Sequence, residues 1–125
     1  MHTCVIIDDD QLSIDILKNF ITRNNQLSIH ATFTDPIKAI NEIAPHTPID
    51  FLFLDIRMDI SGIDVARVLR DQVKYLIFVT AYEEYAIDAF GVNCDQYLVK
   101  PITYDKFQST IEDIFSKENR RSGLV

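Results

Sequence analysis

The stretch Phe51-Leu52-Phe53-Leu54-Asp55 decides the fold of this 125-residue chain. Four large apolar residues in a row end on a carboxylate, and the run is too short for a helix with one side in water. It predicts a strand that is buried on both faces, as in a parallel sheet covered by helices. In such sheets the functional groups lie outside the carboxyl ends of the strands. Asp55 therefore marks a candidate site.

Two other apolar runs end in a similar way. The run Cys4-Val5-Ile6-Ile7 leads into Asp8-Asp9-Asp10, and the run Leu76-Ile77-Phe78-Val79 leads into Thr80. Because the carboxyl ends of parallel strands meet at one edge of a sheet, these side chains are expected to lie near Asp55. The sequence thus predicts an acidic pocket with a hydroxyl group beside it.

Strand and helix patterns alternate along the whole chain. Apolar runs and alternation predict strands over Thr3–Ile7, Leu27–Phe33, Asp50–Leu54, Leu76–Val79 and Gln96–Val99. Apolar residues at helical spacing predict helices over about residues 11–24, 37–44, 63–72, 82–90 and 104–115. Five strand–helix units predict an α/β fold, a doubly wound parallel sheet with helices on both faces.

Several residues indicate where these helices begin and end. Asp10 is the expected N-cap of the first helix, and Asp35-Pro36 opens the second as N-cap and first helical residue. The segment Pro45–Pro48 is expected to end the second helix, and Gly91 to close the fourth in a left-handed conformation. After Phe115 the chain is polar and unpatterned, which predicts a tail or the start of a linker.

Composition narrows the class of protein. The chain is 47% hydrophobic and 25% charged, as in globular proteins, and its net charge of -7 argues against direct binding to a nucleic-acid backbone. No apolar run approaches the roughly 20 residues that cross a bilayer, and no signal peptide is evident, so a cytoplasmic protein without a membrane partner is expected. Cys4 and Cys94 lack metal-ligand spacing and are expected to be buried thiols.

The predicted pocket has a definite chemistry. Asp8, Asp9 and Asp55 would crowd like charges, which raises carboxyl pKa values unless a cation intervenes. An all-oxygen site of this kind suits Mg²⁺ or Mn²⁺. Lys100 and Thr80 follow other strands at the same edge and could hold phosphoryl oxygens, with Lys100 paired to Asp55 at rest. Together these groups are typical of an aspartyl-phosphate site.

These residues occur in motifs that resemble a known family. Along essentially its whole length the chain resembles the receiver domain of two-component response regulators, on the motifs Val5–Asp10, Leu54–Met58, Val79–Ala81 and Tyr97–Pro101. The stretches 80–90 and 97–102 are most similar to receivers of the LytR/AlgR type, which usually precede a LytTR DNA-binding domain. The resemblance implies a flavodoxin-like sheet with strand order 2-1-3-4-5.

The resemblance also implies a role for individual residues. Asp55 would accept a phosphoryl group from a sensor histidine kinase, and Mg²⁺ would be held by Asp8, Asp9, Asp55 and the backbone carbonyl of Arg57. The site would help to catalyse its own phosphorylation and dephosphorylation without being a conventional enzyme.

The remaining implied roles concern signalling. Thr80 and Lys100 would bind the phosphoryl oxygens, and Tyr97 would swing inward as Thr80 moves toward the phosphate. The Lys100–Pro101 peptide bond would be cis. The face built from the fourth helix, fifth strand and fifth helix would carry the output, with homodimerisation expected on phosphorylation.

The expected domain organisation follows from the same resemblance. Residues 1–117 would form the receiver domain, and residues 118–125 a polar tail or the start of a linker to an output domain. Contact with DNA would come only through that missing C-terminal domain. A receiver that stands alone, or a pseudo-receiver acting by protein contacts, is the alternative.

The chain departs from the family pattern in one loop. Asp59 stands where family members usually have Pro, and the loop from Asp55 to Gly62 looks one residue shorter than usual. Asp59 is therefore a hypothetical modulator of metal or phosphate binding.

Two other classes of protein fit the residues less well. A phosphohydrolase like the haloacid dehalogenases needs a second Asp two residues after its nucleophile, and Arg57 stands there. A flavodoxin-like cofactor binder needs a phosphate-cradling loop after the first strand, where three aspartates would repel a phosphate.

Overall fold

A parallel sheet of five strands forms the centre of the computed structural model, which describes residues 1–43 and 48–121. Numbered in chain order, the strands β1 to β5 are His2–Ile7, Leu27–Phe33, Ile49–Leu54, Val73–Thr80 and Gln96–Val99. The helices α1 to α5 are Gln11–Thr22, Pro36–Glu42, Gly62–Leu69, Ala86–Gly91 and Tyr104–Arg121. The strand order β2-β1-β3-β4-β5 confirms the predicted fold.

Each face of the sheet is covered by its own helices. Residues of α1 and α5 pack with alternate strand residues such as Phe51 and Phe53, and residues of α2, α3 and α4 pack with the others, such as Leu52 and Leu54. All four of these β3 side chains are at most 1% exposed. Burial on both faces explains why the segment Phe51–Leu54 of β3 is continuously apolar.

The register of the strands brings the predicted site residues to one edge. Ile7 pairs with Leu54, so Asp8 and Asp55 leave adjacent strands side by side, and the Asp55 amide donates to the Ile7 carbonyl at 3.0 Å. On the other side of β3, Thr80 ends β4 and pairs with Val99. The Lys100 amide then donates to the Thr80 carbonyl at 2.8 Å.

The predicted starts of the first two helices are confirmed. The Asp10 carboxylate accepts from the Leu12 amide at 3.1 Å at the start of α1. Asp35 accepts from the Ile37 amide at 2.9 Å, and Pro36 is the first residue of α2. The helix α2 ends at Glu42 with Ile43 as its C-cap, so the predicted end at Pro45–Pro48 was too late; residues 44–47 lie outside the described residues.

The fourth helix differs from its prediction at both ends. Residues Glu83–Tyr85 form a short 3-10 helix before α4, so the predicted single helix over 82–90 is two elements. Gly91 belongs to α4, and the left-handed residue after the helix is Asn93, with φ of 58°. Asparagine tolerates this conformation because its short polar side chain can hydrogen-bond locally.

The strand β4 begins earlier than predicted. The third helix was predicted over residues 63–72, but α3 ends at Leu69, and the 3-10 turn Arg70–Gln72 leads directly into the strand. Val73 and Tyr75 are buried while Lys74 is exposed, which is the alternation of a strand. The alternation is short, because Lys74 is the one polar residue between Val73 and the apolar run that follows, and it was not recognised as part of a strand.

The helix α5 runs beyond the apolar stripe that predicted it. The expected polar tail is helical from residue 116 to Arg121, whereas residues 122–125 lie outside the described part of the chain. The Tyr75 hydroxyl donates to Glu118 Oε2 at 2.5 Å, and Lys74 Nζ lies 3.5 Å from Glu118 Oε1. These contacts with β4 hold a helical turn that has no apolar pattern of its own.

One arginine stabilises the start of β5, the strand that contains Tyr97 and precedes Lys100. The Arg70 guanidinium donates to the Asn93 carbonyl at 3.0 Å and to the Val73 carbonyl at 3.1 Å, and contacts Asp95 Oδ2 at 3.3 Å. Asp95 Oδ2 also accepts from the Leu76 amide at 2.7 Å. The strand that positions Tyr97 and Lys100 is therefore anchored at its amino end, at the opposite edge of the sheet.

Across residues 1–43 and 48–121, the structure has no helix with the length and apolar character needed to cross a membrane.

Candidate functional site

Three carboxylates meet at the carboxyl edge of β1 and β3. Oxygens of Asp8, Asp9 and Asp55 lie within 4.8 Å of one another, which brings together all three of the predicted acidic side chains. Asp8 is 2% exposed and Asp55 is 8% exposed, whereas Asp9 is open to solvent. One oxygen of Asp8 accepts from the Asp10 amide at 2.9 Å, and one of Asp55 from the Ile56 amide at 2.8 Å.

Lys100 lies between the two buried carboxylates. Its Nζ is 2.8 Å from Asp8 Oδ2 and 3.6 Å from Asp55 Oδ2. The sequence predicted a pair with Asp55, but the shorter contact is with Asp8. The Lys100–Pro101 peptide bond is cis, as the resemblance implied. One cation therefore faces two buried anions, which leaves the described site with an excess of negative charge.

The electrostatics of Asp55 follow from this geometry. Burial raises the pKa of the Asp55 carboxyl above its ordinary value, and the neighbouring Asp8 charge raises the pKa further. Lys100, the Ile56 amide and the Thr80 hydroxyl act in the opposite direction but do not cancel these effects. An ionised Asp55 is thus stabilised less in the folded chain than in water.

Asp55→Asn is expected to raise the midpoint of thermal unfolding of the metal-free domain at neutral pH. Because the pKa of Asp55 is raised on folding, its contribution to stability is present below the unfolded pKa of about 3.9. That contribution is lost as the pH rises through the folded pKa. The difference between variant and wild type should therefore grow across this range, measured by thermal melts in chelator at several pH values. Asp71→Asn, at an exposed carboxylate, is the control. An Asp55→Asn difference that is flat with pH would contradict the expectation.

Thr80 and Tyr97 both contact the segment that follows β4. Thr80 is fully buried, and its Oγ1 lies 3.4 Å from the Tyr82 amide. Tyr97 is half-buried and packs on Phe78 at 6.2 Å between ring centroids, and its hydroxyl donates to the Tyr82 carbonyl. Tyr97 is therefore turned inward in this structure.

The Arg57 side chain was not assigned any role by the sequence. Its guanidinium carbon lies 4.4 Å from the centroid of the Tyr82 ring, within the range of a cation–π contact. The signal available in the sequence was weak: a cation two residues after β3 and an aromatic two residues after β4, on adjacent strands.

The loop after Asp55 closes tightly onto the start of α3. The Gly62 amide donates to the Ile56 carbonyl at 2.7 Å, and a β-carbon at Gly62 would lie 1.8 Å from the Asp55 carbonyl oxygen. Asp59 is exposed in this loop and lines a cavity of about 320 Å³ together with Asp9 and Asp35. The requirement for glycine at residue 62 thus arises directly beside the candidate site.

Comparison with known sequences identifies the family of the chain. The model of the response regulator receiver domain matches residues 4–112. The sensory transduction protein LytT of Enterococcus faecalis is 37% identical over 115 residues, which are 90% of this chain and 47% of LytT. The transcriptional regulatory protein BtsR of Escherichia coli K12 is 30% identical over 123 residues, 97% of this chain and 51% of BtsR. The chain thus spans about half the length of these curated relatives.

Solved structures share the fold. The response regulatory domain of mrkE from Klebsiella pneumoniae superposes with a TM-score of 0.83 at 22% identity, covering 94% of this chain and 98% of that one. A CheX–CheY–BeF3–Mg²⁺ complex from Borrelia burgdorferi contains a chain with a TM-score of 0.81 at 23% identity, covering 91% and 89%. At these identities the likeness concerns the fold, and the family model carries the assignment. The chain belongs to the response regulator receiver domain family.

Proposed function

We propose that this receiver domain accepts a phosphoryl group from a sensor histidine kinase on Asp55 and signals through its α4–β5–α5 face. The observation that carries the proposal is the surroundings of Asp55. Its carboxylate is 8% exposed, lies within reach of two other aspartates, and has the Lys100 ammonium group at 3.6 Å. This is a nucleophile with an adjacent group able to bind a transferred anion.

The acidic cluster fits a divalent cation. Three carboxylate oxygens within 4.8 Å, two of them from buried residues, face only one ammonium group among the described ion pairs, and burial and the Asp8 charge raise the pKa of Asp55. Oxygen donors of this kind suit Mg²⁺, with Mn²⁺ as the alternative. Asp8, Asp9, Asp55 and the Arg57 carbonyl would hold the ion, which would neutralise charge on the incoming phosphoryl group.

The chemical step is a transfer between a nitrogen and an oxygen. A carboxylate oxygen of Asp55 forms a P–O bond to the phosphorus of the kinase's phosphohistidine. The P–N bond breaks, and its electron pair stays on the imidazole nitrogen. Lys100 and the Thr80 hydroxyl then bind the phosphoryl oxygens, so Lys100 exchanges part of its contact with Asp8 for a contact with the acyl phosphate.

The surface of α4 and β5 suits an output by dimerisation. Three apolar side chains are exposed there: Ile87 at 85%, Phe90 at 58% and Val99 at 42%. Thr80 and Tyr97 are the proposed switch, because Tyr97 lies on β5 and contacts the segment after Thr80. Movement of Thr80 toward a phosphoryl group would therefore be felt at this surface, where we place a phosphorylation-dependent homodimer.

A groove beside Lys100 is where the kinase would dock. It has a volume of about 400 Å³ and runs between α1 and the segment after β5, with Ile16, Leu17, Pro101 and Ile102 among its lining residues. Lys100 also lines the groove. A kinase helix that fills this apolar groove would bring its phosphohistidine to the acidic edge.

The organisation of the whole protein is part of the proposal. The chain spans about half of LytT and of BtsR. We infer that the receiver extends beyond the expected boundary at residue 117 to the end of α5 at Arg121, because Glu118 contacts β4, and that the chain after the receiver leads toward an output domain that binds DNA. A regulator of this kind, served by a kinase that uses ATP, would act in the cytoplasm.

Intact mass spectrometry after incubation with acetyl phosphate and Mg²⁺ tests the proposal. A single phosphoryl adduct is expected in the wild type, none in chelator, and none in Asp55→Asn, because this variant lacks the proposed nucleophile. Asp64→Asn, at an exposed carboxylate on α3, is the matched control and should be modified like the wild type. An adduct that survives Asp55→Asn would place the phosphoacceptor elsewhere.

The absence of any adduct in the wild type would favour a pseudo-receiver that acts by protein contacts. The loop after Asp55 gives this alternative a specific basis, since Asp59 stands in the place of the usual proline and adds negative charge near Asp9. The variant Asp59→Pro tests whether Asp59 affects Mg²⁺ binding and phosphorylation. Unchanged Mg²⁺ affinity and unchanged adduct formation in that variant would remove Asp59 as a modulator.

A further inference from the structure

The Tyr82 residue connects two loops of the site with the proposed switch. Its ring carries the Arg57 guanidinium at 4.4 Å from the centroid. Its carbonyl accepts from the Tyr97 hydroxyl, and its amide lies 3.4 Å from Thr80 Oγ1. Arg57 belongs to the loop after β3, which starts at Asp55, whereas Tyr82 belongs to the segment after β4.

The Tyr82 carbonyl, which accepts from the Tyr97 hydroxyl, lies on a segment with exposed side chains and no helix cap. Ala81, Glu83 and Glu84 around Tyr82 are exposed, and no side chain caps the 3-10 helix that follows. Among the ring contacts described for Tyr82 are the edge of Tyr85, at 6.3 Å between centroids, and the Arg57 guanidinium. The Arg57 stack ties this exposed segment to the loop after β3.

We propose that Arg57 and Tyr82 form a latch that holds the Tyr82 carbonyl in place and thereby stabilises the inward position of Tyr97 in the unphosphorylated domain. The latch sets the fraction of domains with Tyr97 inward before any phosphoryl group arrives. Arg57 is therefore a positioning residue through its side chain, in addition to the metal contact proposed for its backbone. The signalling meaning of the latch rests on the proposed switching role of Tyr97.

The test measures the position of Tyr97 without metal or phosphodonor. The chain has five tyrosines, and Tyr97→Phe assigns the fluorine signal of Tyr97 in protein labelled with 3-fluorotyrosine. Broadening of that signal by a neutral nitroxide reports how much of Tyr97 is outward. Arg57→Leu and Tyr82→Leu are each expected to raise the outward-to-inward ratio about two- to fivefold, the equivalent of a cation–π contact at an exposed site.

The double variant makes the test specific for the pair. If the two side chains act as one latch, Arg57→Leu combined with Tyr82→Leu changes the ratio no more than the larger single variant. Tyr82→Phe, which keeps the ring, and Arg67→Leu, which removes an exposed arginine of α3, should match the wild type. An unchanged outward-to-inward ratio of Tyr97 in both single variants, or additive changes in the double variant, overturns the latch.

This measurement is independent of phosphorylation. If the wild type forms no adduct on Asp55 in the mass experiment, the proposed function is overturned. The ratio of Tyr97 positions can still be measured and is not affected by that result. Conversely, a normal adduct with an unchanged ratio would overturn the latch alone. The variants are expected to fold, because Arg57 is exposed and Tyr82 is partly exposed. Thermal melts of all variants check this.

Discussion

Lys100→Met is expected to lower the free energy of unfolding of the metal-free domain by about 3 kcal/mol at neutral pH. Lys100 Nζ lies 2.8 Å from Asp8 and 3.6 Å from Asp55, and both carboxylates are nearly inaccessible to water. Removing the cation leaves two buried like charges without compensation, which costs far more than the loss of an exposed ion pair. Lys100 itself retains some exposure, so the loss should fall at the lower end of the range for buried pairs.

Acid and metal should each restore Lys100→Met. Protonation removes the repulsion, and the raised pKa of Asp55 means that recovery begins at a higher pH than for an ordinary carboxyl. Mg²⁺ would replace the missing positive charge. Urea unfolding at neutral and acidic pH, with chelator or Mg²⁺, measures both effects.

Two further variants establish the cause of the Lys100→Met effect. Asp8→Asn combined with Lys100→Met should recover most of the lost stability, because one of the two uncompensated charges is gone. Lys106→Met, at an exposed lysine of α5, should lie close to the wild type. A loss in Lys100→Met that does not change with pH or with Asp8→Asn would mean that the methylene groups of Lys100 matter, and not its charge.

The sequence predicted the fold well where apolar patterning and capping agreed. The run before Asp55 reads as a doubly buried strand, and Asp10 and Asp35 mark helix starts because each carboxylate has an unpaired helix amide to accept from. The errors lie where a contact distant in sequence decides. The α5 helix continues to Arg121, and the Tyr75 hydroxyl of β4 donates to Glu118 in this added part of the helix. Local periodicity does not contain this contact between distant residues.

The candidate site was predictable as a set of residues but not as a geometry. Strand ends placed Asp8, Asp55 and Thr80 at one edge, because parallel strands share their carboxyl side. Which carboxylate Lys100 contacts more closely depends on a side-chain path of several bonds, and the sequence does not fix it. The Arg57–Tyr82 contact was missed for the same reason, since both residues lie in loops whose conformations follow from packing.

Gly62→Ala is expected to cost about 3 kcal/mol of unfolding free energy or more, a large loss for one added methyl group. The added β-carbon would lie 1.8 Å from the Asp55 carbonyl oxygen and 2.9 Å from the Ile56 α-carbon. Both are backbone atoms at the end of β3, where the Asp55 amide is bonded to Ile7. Neither can yield as a flexible side chain would, so the loop or the start of α3 must move.

A displacement of the loop between Asp55 and Gly62 also affects the Asp55 carboxylate. The Gly62 amide donates to the Ile56 carbonyl at 2.7 Å, and the Ile56 amide donates to the Asp55 carboxylate at 2.8 Å. Moving residue 62 outward therefore disturbs a hydrogen bond that orients the Asp55 carboxylate. We expect adduct formation with acetyl phosphate to fall along with stability, by tenfold or more on the order of one lost positioning contact.

Gly91→Ala is the matched control for this substitution, because it adds the same methyl group without a steric conflict. No atom lies within 4 Å of a β-carbon built at Gly91, and the residue is in α4, where alanine is favoured over glycine by about 1 kcal/mol. Gly91→Ala should therefore match or exceed the stability of the wild type in urea unfolding and should accept phosphate normally. If Gly62→Ala stays within about 0.5 kcal/mol of the wild type, the range of an ordinary surface change, then the loop adapts at little cost. The close approach of Gly62 to Asp55 would in that case not be what holds the nucleophile in place.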